Sequence, residues 1–179
     1  MLDLCSFDNS AFDRGAPLWK EALWWLVRSL LFAPWFPVPS ALKRGALRAF
    51  GAKVGGGVVI RSRVNVTFPW RLEIGDGVWI GDEVLILSLD RVSIGANSCI
   101  SQRAFLCTGS HDFSKPSFDL RTRPIVIGEG CWIGACSFVA PGVSFGPGSR
   151  CCAGAVVTKN LVPGEDARGG ASNAPSPPR

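Results

Sequence analysis

Ile74–Ile86 reads IGDGVWIGDEVLI and Ile127–Gly146 reads IGEGCWIGACSFVAPGVSFG. In both stretches an apolar residue returns every sixth position, and the spacing extends outward in each direction. It runs through Val54, Ile60 and Val66, then Ile74, Ile80 and Ile86, then Ile94, Ile100 and Leu106. After a break it resumes at Ile127, Ile133 and Val139, followed by Phe145, Cys151 and Val157. Thirteen of these fifteen positions are Val, Ile or Leu, far more than a chain that is 47% hydrophobic supplies by chance. The next residue is often Gly, as at Gly75, Gly81, Gly95 and Gly134, and the residue four on is often small, as at Ser98, Ala104, Cys131, Ser137 and Ala155. A period of six matches neither the 3.6 of a helix nor the two-residue alternation of a hairpin. It predicts an all-β solenoid: short parallel strands joined by tight corners, three to an 18-residue coil, with the aliphatic side chain turned inward and Gly easing the corner. Five coils at about 4.8 Å each make a column of roughly 24 Å. Such an interior is dry and too narrow for a ligand, so any chemistry must lie outside it. The general rule for crossovers favours a right hand.

The 179 residues suit one domain. Residues 1–53 form an N-terminal helical segment, 54–165 the β-helix with an excursion at 107–126, and 166–179 a tail rich in Pro, Ser, Gly and Ala that reads as disordered. Leu18–Phe36, LWKEALWWLVRSLLFAPWF, holds four of the seven Trp and reads as a helix stopped by Pro34 and Pro37. Lys20, Glu21 and Arg28 interrupt it too often for a membrane span. A second helix is predicted at Ser40–Phe50, with Ser40 as N-cap and Gly51 as stop. The net charge of +5 is small for a nucleic-acid binder, but Arg14 to Arg63 carries nine Lys/Arg against the single acid Glu21. Two readings of this basic, Trp-rich segment are compatible: a helical cap on the fold, and peripheral contact with a membrane surface through residues 18–50. Seven Cys with no CxxC spacing indicate reduced thiols and a cytoplasmic chain.

Between Leu106 and Ile127 the six-residue phase is lost for twenty residues, Cys107 to Val126. A long loop thrown out of a regular solenoid is more often functional than accidental. It carries the only histidine, His111, between Ser110 and Asp112. One His excludes a metal site built from several imidazoles, including the three-His zinc site of carbonic anhydrases. Imidazole, with a pKa of about 6.5, suits a general base that takes a hydroxyl proton near neutral pH. The bland alternative is a surface His on a mobile loop. Cys107 admits a rival role as acyl-enzyme nucleophile, while Cys131, Cys136, Cys151 and Cys152 read as small fillers of the coil.

The repeats IGDGVWIGDEVLI, IGANSCISQRAFL and IGEGCWIGACSFVAPGVSFG resemble those of the hexapeptide-repeat acyltransferases. ISQRAFLCTGSHDF, FPWRLEIGDGVWIGDEV, the LWW helix and RAFGAKVG are closer still to the colanic acid biosynthesis O-acetyltransferase branch, over about Phe12 to Pro163. The resemblance implies a left-handed parallel β-helix, a homotrimer with sites between subunits, and acetyl-CoA as co-substrate. The acceptor it implies is a sugar hydroxyl of an exopolysaccharide repeat unit, lipid-linked at the inner membrane face. A small soluble acceptor or a non-catalytic trimeric scaffold are the alternatives. The His of TGSHD is the family's catalytic base, which assigns that role to His111. A polar residue of the preceding coil would orient it, here Asp82 or Glu83; relatives often have Asn nearby, so this chain departs from their pattern. Gly109 and Ser110 are the oxyanion candidates. Trp132 matches the position flanking the pantetheine arm, with Ala135 after it, and Ala153, Thr158 and Lys159 match the nucleotide end, Lys159 facing the 3′-phosphate. Trp132 could instead pack against a neighbouring prism, and Lys159 could be a solvated charge. The tail EDARGGASNAPSPPR departs from the family's RGNPA-like ending.

Overall fold

All fifteen six-residue positions are buried in the computed structural model, which describes residues 4–167. Strands of two or three residues repeat on three faces of a prism and pair in parallel. The first face stacks Lys53–Val54, Leu72–Ile74, Val92–Ile94, Ile125–Ile127 and Ser144–Phe145. The second stacks Val59–Ile60, Trp79–Ile80, Cys99–Ile100, Trp132–Ile133, Arg150–Cys151 and Asp166–Ala167. The third stacks Asn65–Val66, Leu85–Leu87, Phe105–Cys107, Phe138–Val139 and Val156–Val157. Like residues therefore stand in columns, Ile60 under Ile80, Ile100 and Ile133.

Five coils are complete and a sixth has begun, one more than the spacing predicts. Leu161 bridges Phe145, and Asp166–Ala167 pair with Arg150–Cys151, where Arg150 and Asp166 form an ion pair of 2.8 Å. Residues 166 and 167 thus belong to the solenoid and not to the tail; the disorder expected for 168–179 falls outside the described residues.

On the first and second faces the position four after each six-residue position also points inward, so Val58, Val64, Val78 and Val84 are as buried as the small residues noted above. Inward hydroxyls keep their hydrogen bonds. Ser98 donates to the Gly128 carbonyl (2.9 Å) and accepts from the Cys131 amide (3.1 Å). At Gly134 a Cβ would lie 2.5 Å from the Ala153 nitrogen and the Cys152 carbonyl carbon of the next coil, so the corner admits only Gly. Cys131 and Cys151 fill the interior as expected, but Cys136 and Cys152 stand exposed at corners.

A solenoid exposes an unpaired strand edge at its end. Here α1 (Leu18–Leu31) and α2 (Ser40–Ala49) cover the first coil. Their donors meet its free carbonyls: Lys43 reaches Arg61 O (2.6 Å), Arg44 reaches Val58 O (2.7 Å), Arg48 reaches Val54 O (2.6 Å) and Trp24 Nε1 reaches Val66 O (2.9 Å). The cap reading of the basic segment is what the structure shows, and its cations act as donors to an edge. Burial pushes the Lys43 ammonium's pKa down, with Asp82 opposing. Trp24, Phe32 and Leu47 are fully buried, and the Trp24 ring meets Phe32 at 5.4 Å and Phe50 at 5.2 Å. The helices are shorter than predicted. α1 closes at Phe32, whose N–H bonds Arg28 O two residues ahead of Pro34. Pro39, not Ser40, occupies the cap of α2; the Ser40 hydroxyl instead donates to Ile60 O and accepts from Ile60 N. Among the described residues no helix is long and apolar enough to cross a membrane.

Candidate active site

The excursion leaves and re-enters the solenoid at the edge between the third and first faces. It is a hairpin: Gly109–His111 pairs antiparallel with Leu120–Thr122, His111 opposite Leu120. Its neck is pinned twice. The Arg123 amide donates to Thr108 O (2.9 Å), and the buried Thr108 hydroxyl donates to Leu87 O of the coil below (2.5 Å). Within the hairpin the buried Asp112 carboxylate accepts from the Ser114 hydroxyl (2.6 Å) and from Arg121 (2.5 Å). The Ser114 hydrogen bond, with Arg121 and Lys115 nearby, holds the Asp112 carboxyl below its usual value of 3.8. A lowered acid pKa contributes stability that is present above 3.8 and is lost as the pH falls through the folded-state value. Amide protection of residues 109–122 is therefore expected to persist from pH 7 to pH 5 and to decline below about 4, as read by hydrogen exchange. Loss of that protection already at pH 6 would show that Asp112 does not pin the hairpin.

The pinned hairpin fixes the imidazole. His111 Nδ1 lies 2.8 Å from the Phe118 carbonyl, and the ring stacks on Phe118 at 4.3 Å with an interplanar angle of 4°. Phe118 adopts a left-handed backbone (φ +51°), which carries its carbonyl at the hairpin tip to the imidazole. Phe7 of the N-terminal strap meets the ring edge-on at 5.6 Å. A carbonyl only accepts, so Nδ1 is the donor in this contact, and in the neutral imidazole Nε2 is the nitrogen with the lone pair. His111 lines a cleft of about 350 Å³ shared with Phe7, Asn9, Phe12, Phe68, Leu89 and Leu120. Arg14 and Glu21, ion-paired at 2.8 Å, lie at its α1 end.

The other sequence candidates fall elsewhere. Asp82 and Glu83 occupy the corner between the second and third faces, a different edge of the prism. Asp82 accepts from the Ser62 amide and pairs with Arg61 (3.3 Å), and Glu83 pairs with Arg103 (2.9 Å). Within one chain, the orienting position beside His111 is taken by the Phe118 carbonyl. Ala135 and Ala153 stack at the same corner as Asp82, one coil above the other, and Trp132 stands on the adjoining second face, 53% exposed, its Nε1 bonded to Ser101 Oγ (2.8 Å). Thr158 and Lys159 are exposed on the third–first edge, the edge of His111. Alternation along the strand turns Ser110 away from the His111 side, whereas Gly109 shares that side and faces Leu89, where a Cβ would lie 2.8 Å from the Leu89 side chain. Cys107 is buried and donates its S–H to Gly109 O (3.0 Å), and burial pushes its thiol pKa up, the reverse of an activated nucleophile. Phe118 and Phe7 went unassigned in the sequence, since neither carries a chemical motif.

The chain matches no protein-family model. It is 46% identical over 162 residues to WcaF of Escherichia coli (strain K12), named for an acetyltransferase of colanic acid biosynthesis, with 90% of this chain and 88% of that protein covered. The chain belongs to the hexapeptide-repeat acetyltransferases. Solved structures of such acetyltransferases share the fold. A hexapeptide-repeat acetyltransferase from Vibrio cholerae, complexed with acetyl coenzyme A, superposes with a TM-score of 0.79 at 20% identity, covering 92% of this chain and 91% of that one. Galactoside acetyltransferase in complex with coenzyme A gives 0.76 at 22% identity, covering 85% of this chain and 77% of that one. The fold of this hexapeptide-repeat acetyltransferase is thus their left-handed β-helix, and the right-handed preference of ordinary crossovers does not hold for it.

Proposed function

We propose that the protein moves the acetyl group of acetyl-CoA to a sugar hydroxyl of an exopolysaccharide repeat unit, with His111 as general base. The carrying observation is the 2.8 Å contact between His111 Nδ1 and Phe118 O, which leaves Nε2 as the basic nitrogen of a residue lining the cleft. Nε2 takes the hydroxyl proton as the sugar oxygen attacks the thioester carbonyl. The tetrahedral intermediate then collapses, the C–S bond breaks, and the imidazolium returns the proton to the CoA sulfur. The identity to WcaF supports the acceptor class, and the CoA-bound neighbours support the donor.

Two edges of the prism carry the candidate groups, which supports a site completed between chains. His111, Thr158 and Lys159 of one subunit would face Trp132, Ala135 and Ala153 of its neighbour in a homotrimer. Asp82 and Glu83 would enter the site only from that neighbour. The reading places the enzyme in the cytoplasm, where acetyl-CoA is made. Its test is thiol release from acetyl-CoA with a panel of hexoses and a lipid-linked oligosaccharide extract. Release that depends on the oligosaccharide supports the reading. Release with free hexoses alone reassigns the acceptor, and absence of both release and CoA binding leaves a scaffold.

A further inference from the structure

α1 buries one side and leaves the other bare. Trp24, Val27 and Leu31 pack inward, and its three charged residues turn toward the protein, where Lys20 meets Trp70, Glu21 meets Arg14 and Arg28 meets Asn65. At 3.6 residues per turn, Leu18, Trp19, Leu23, Trp25, Leu26 and Leu30 share an outer arc that holds no charge. They are 46–71% exposed. Trp35 and Phe36, 68% and 65% exposed, prolong the patch beyond the helix end. The outer side of a surface helix is ordinarily polar, and a contiguous apolar surface of this kind marks an interaction site.

Three features point to lipid as its occupant. Exposed Trp rings combine an apolar body with a polar N–H and settle at headgroup depth. Cations flank those rings, with the Arg28 guanidinium 5.2 Å from Trp25 and that of Arg63 4.2 Å from Trp35. Such a rim complements anionic headgroups. Finally, the patch is continuous with the site: Glu21 lines both the His111 cleft and a shallow depression of about 380 Å³ on α1 formed with Leu18, Ala22 and Trp25.

We propose that the outer side of α1, with the Trp35–Phe36 turn, seats the protein on an anionic bilayer. Resting on the function proposed above, this holds the His111 cleft within reach of sugars carried on a lipid. With fourteen residues α1 lies in the interface plane.

The face has to be altered by surface substitution, because α1, its C-cap and α2 supply Trp24, Phe32 and Leu47 to the core. The full chain is sedimented with phosphatidylcholine vesicles, with and without phosphatidylglycerol, alongside L26E/L30E. Wild type is expected to pellet with the anionic vesicles, and the double variant to partition at least about tenfold less with an unchanged melting temperature and elution volume. His111→Ala is expected to bind vesicles as wild type does, so a failed acetyl-transfer reading leaves this readout intact. No binding by wild type, or equal binding by a folded double variant, overturns the proposal. So does a shift of the double variant to a smaller oligomer, which would assign the face to a second copy of the chain.

Discussion

His111→Ala is expected to lower acetyl transfer by about 10²–10⁴-fold, the contribution of a positioned general base. The loss should fall on kcat, with acetyl-CoA binding retained, because the imidazole is needed when the sugar proton moves. The folded state should survive the change, since His111 is only half-buried and the hairpin keeps its Asp112–Arg121 pin and the Thr108–Arg123 neck. Steady-state kinetics with a thiol reporter, paired with a thermal melt, separate these quantities. Cys107→Ala is the companion variant. Its thiol is buried and protonated, so activity should stay within about tenfold of wild type. Equal losses in both variants would point to an acyl-enzyme, and full activity in His111→Ala would place the base elsewhere.

Trp24→Ala is expected to cost about 3–5 kcal/mol, the range for truncating a buried aromatic. For a domain of this size that is a fall in Tm of roughly 6–20 °C. Two losses combine: the ring that fills the space between Phe32 and Phe50, and the indole donor to Val66 O at the open strand edge. Trp24→Phe keeps most of the first and removes the second, and should cost about 1–3 kcal/mol. Thermal unfolding by circular dichroism measures both. A Trp24→Ala chain melting within 2 °C of wild type would show that α1 is not an integral cap.

The solenoid was legible because its rule is local and repeated. Each of Val54, Ile60 and the thirteen positions that follow them in phase makes the same inward contact, so one misread residue could not hide the period. The start of the sixth coil was missed because Leu161 and Asp166–Ala167 depart from that phase while still pairing through backbone. The capping donors were invisible for a different reason. Lys43, Arg44 and Arg48 look like surface charges, and only the geometry of the first coil's edge turns them toward carbonyls. His111 stood out as the single imidazole in a break of phase. Its orienting group did not, because a backbone carbonyl has no sequence signature; only the tip conformation of Phe118 delivers it. Asp82 and Glu83 could have been set on another edge by counting corners, since they follow Ile80 of the second face whereas His111 follows Leu106 of the third.

The double pin at the hairpin neck separates two kinds of inheritance. Thr108 and Arg123 meet across a single hydrogen bond, and the coils on either side stack Leu87 on Cys107 and Val92 on Ile125 as though nothing intervened. Residues 109–122 are in effect a cassette clipped into an unbroken column. Its length and chemistry can change without resetting the rungs, so the column and the hairpin that carries His111 can vary independently.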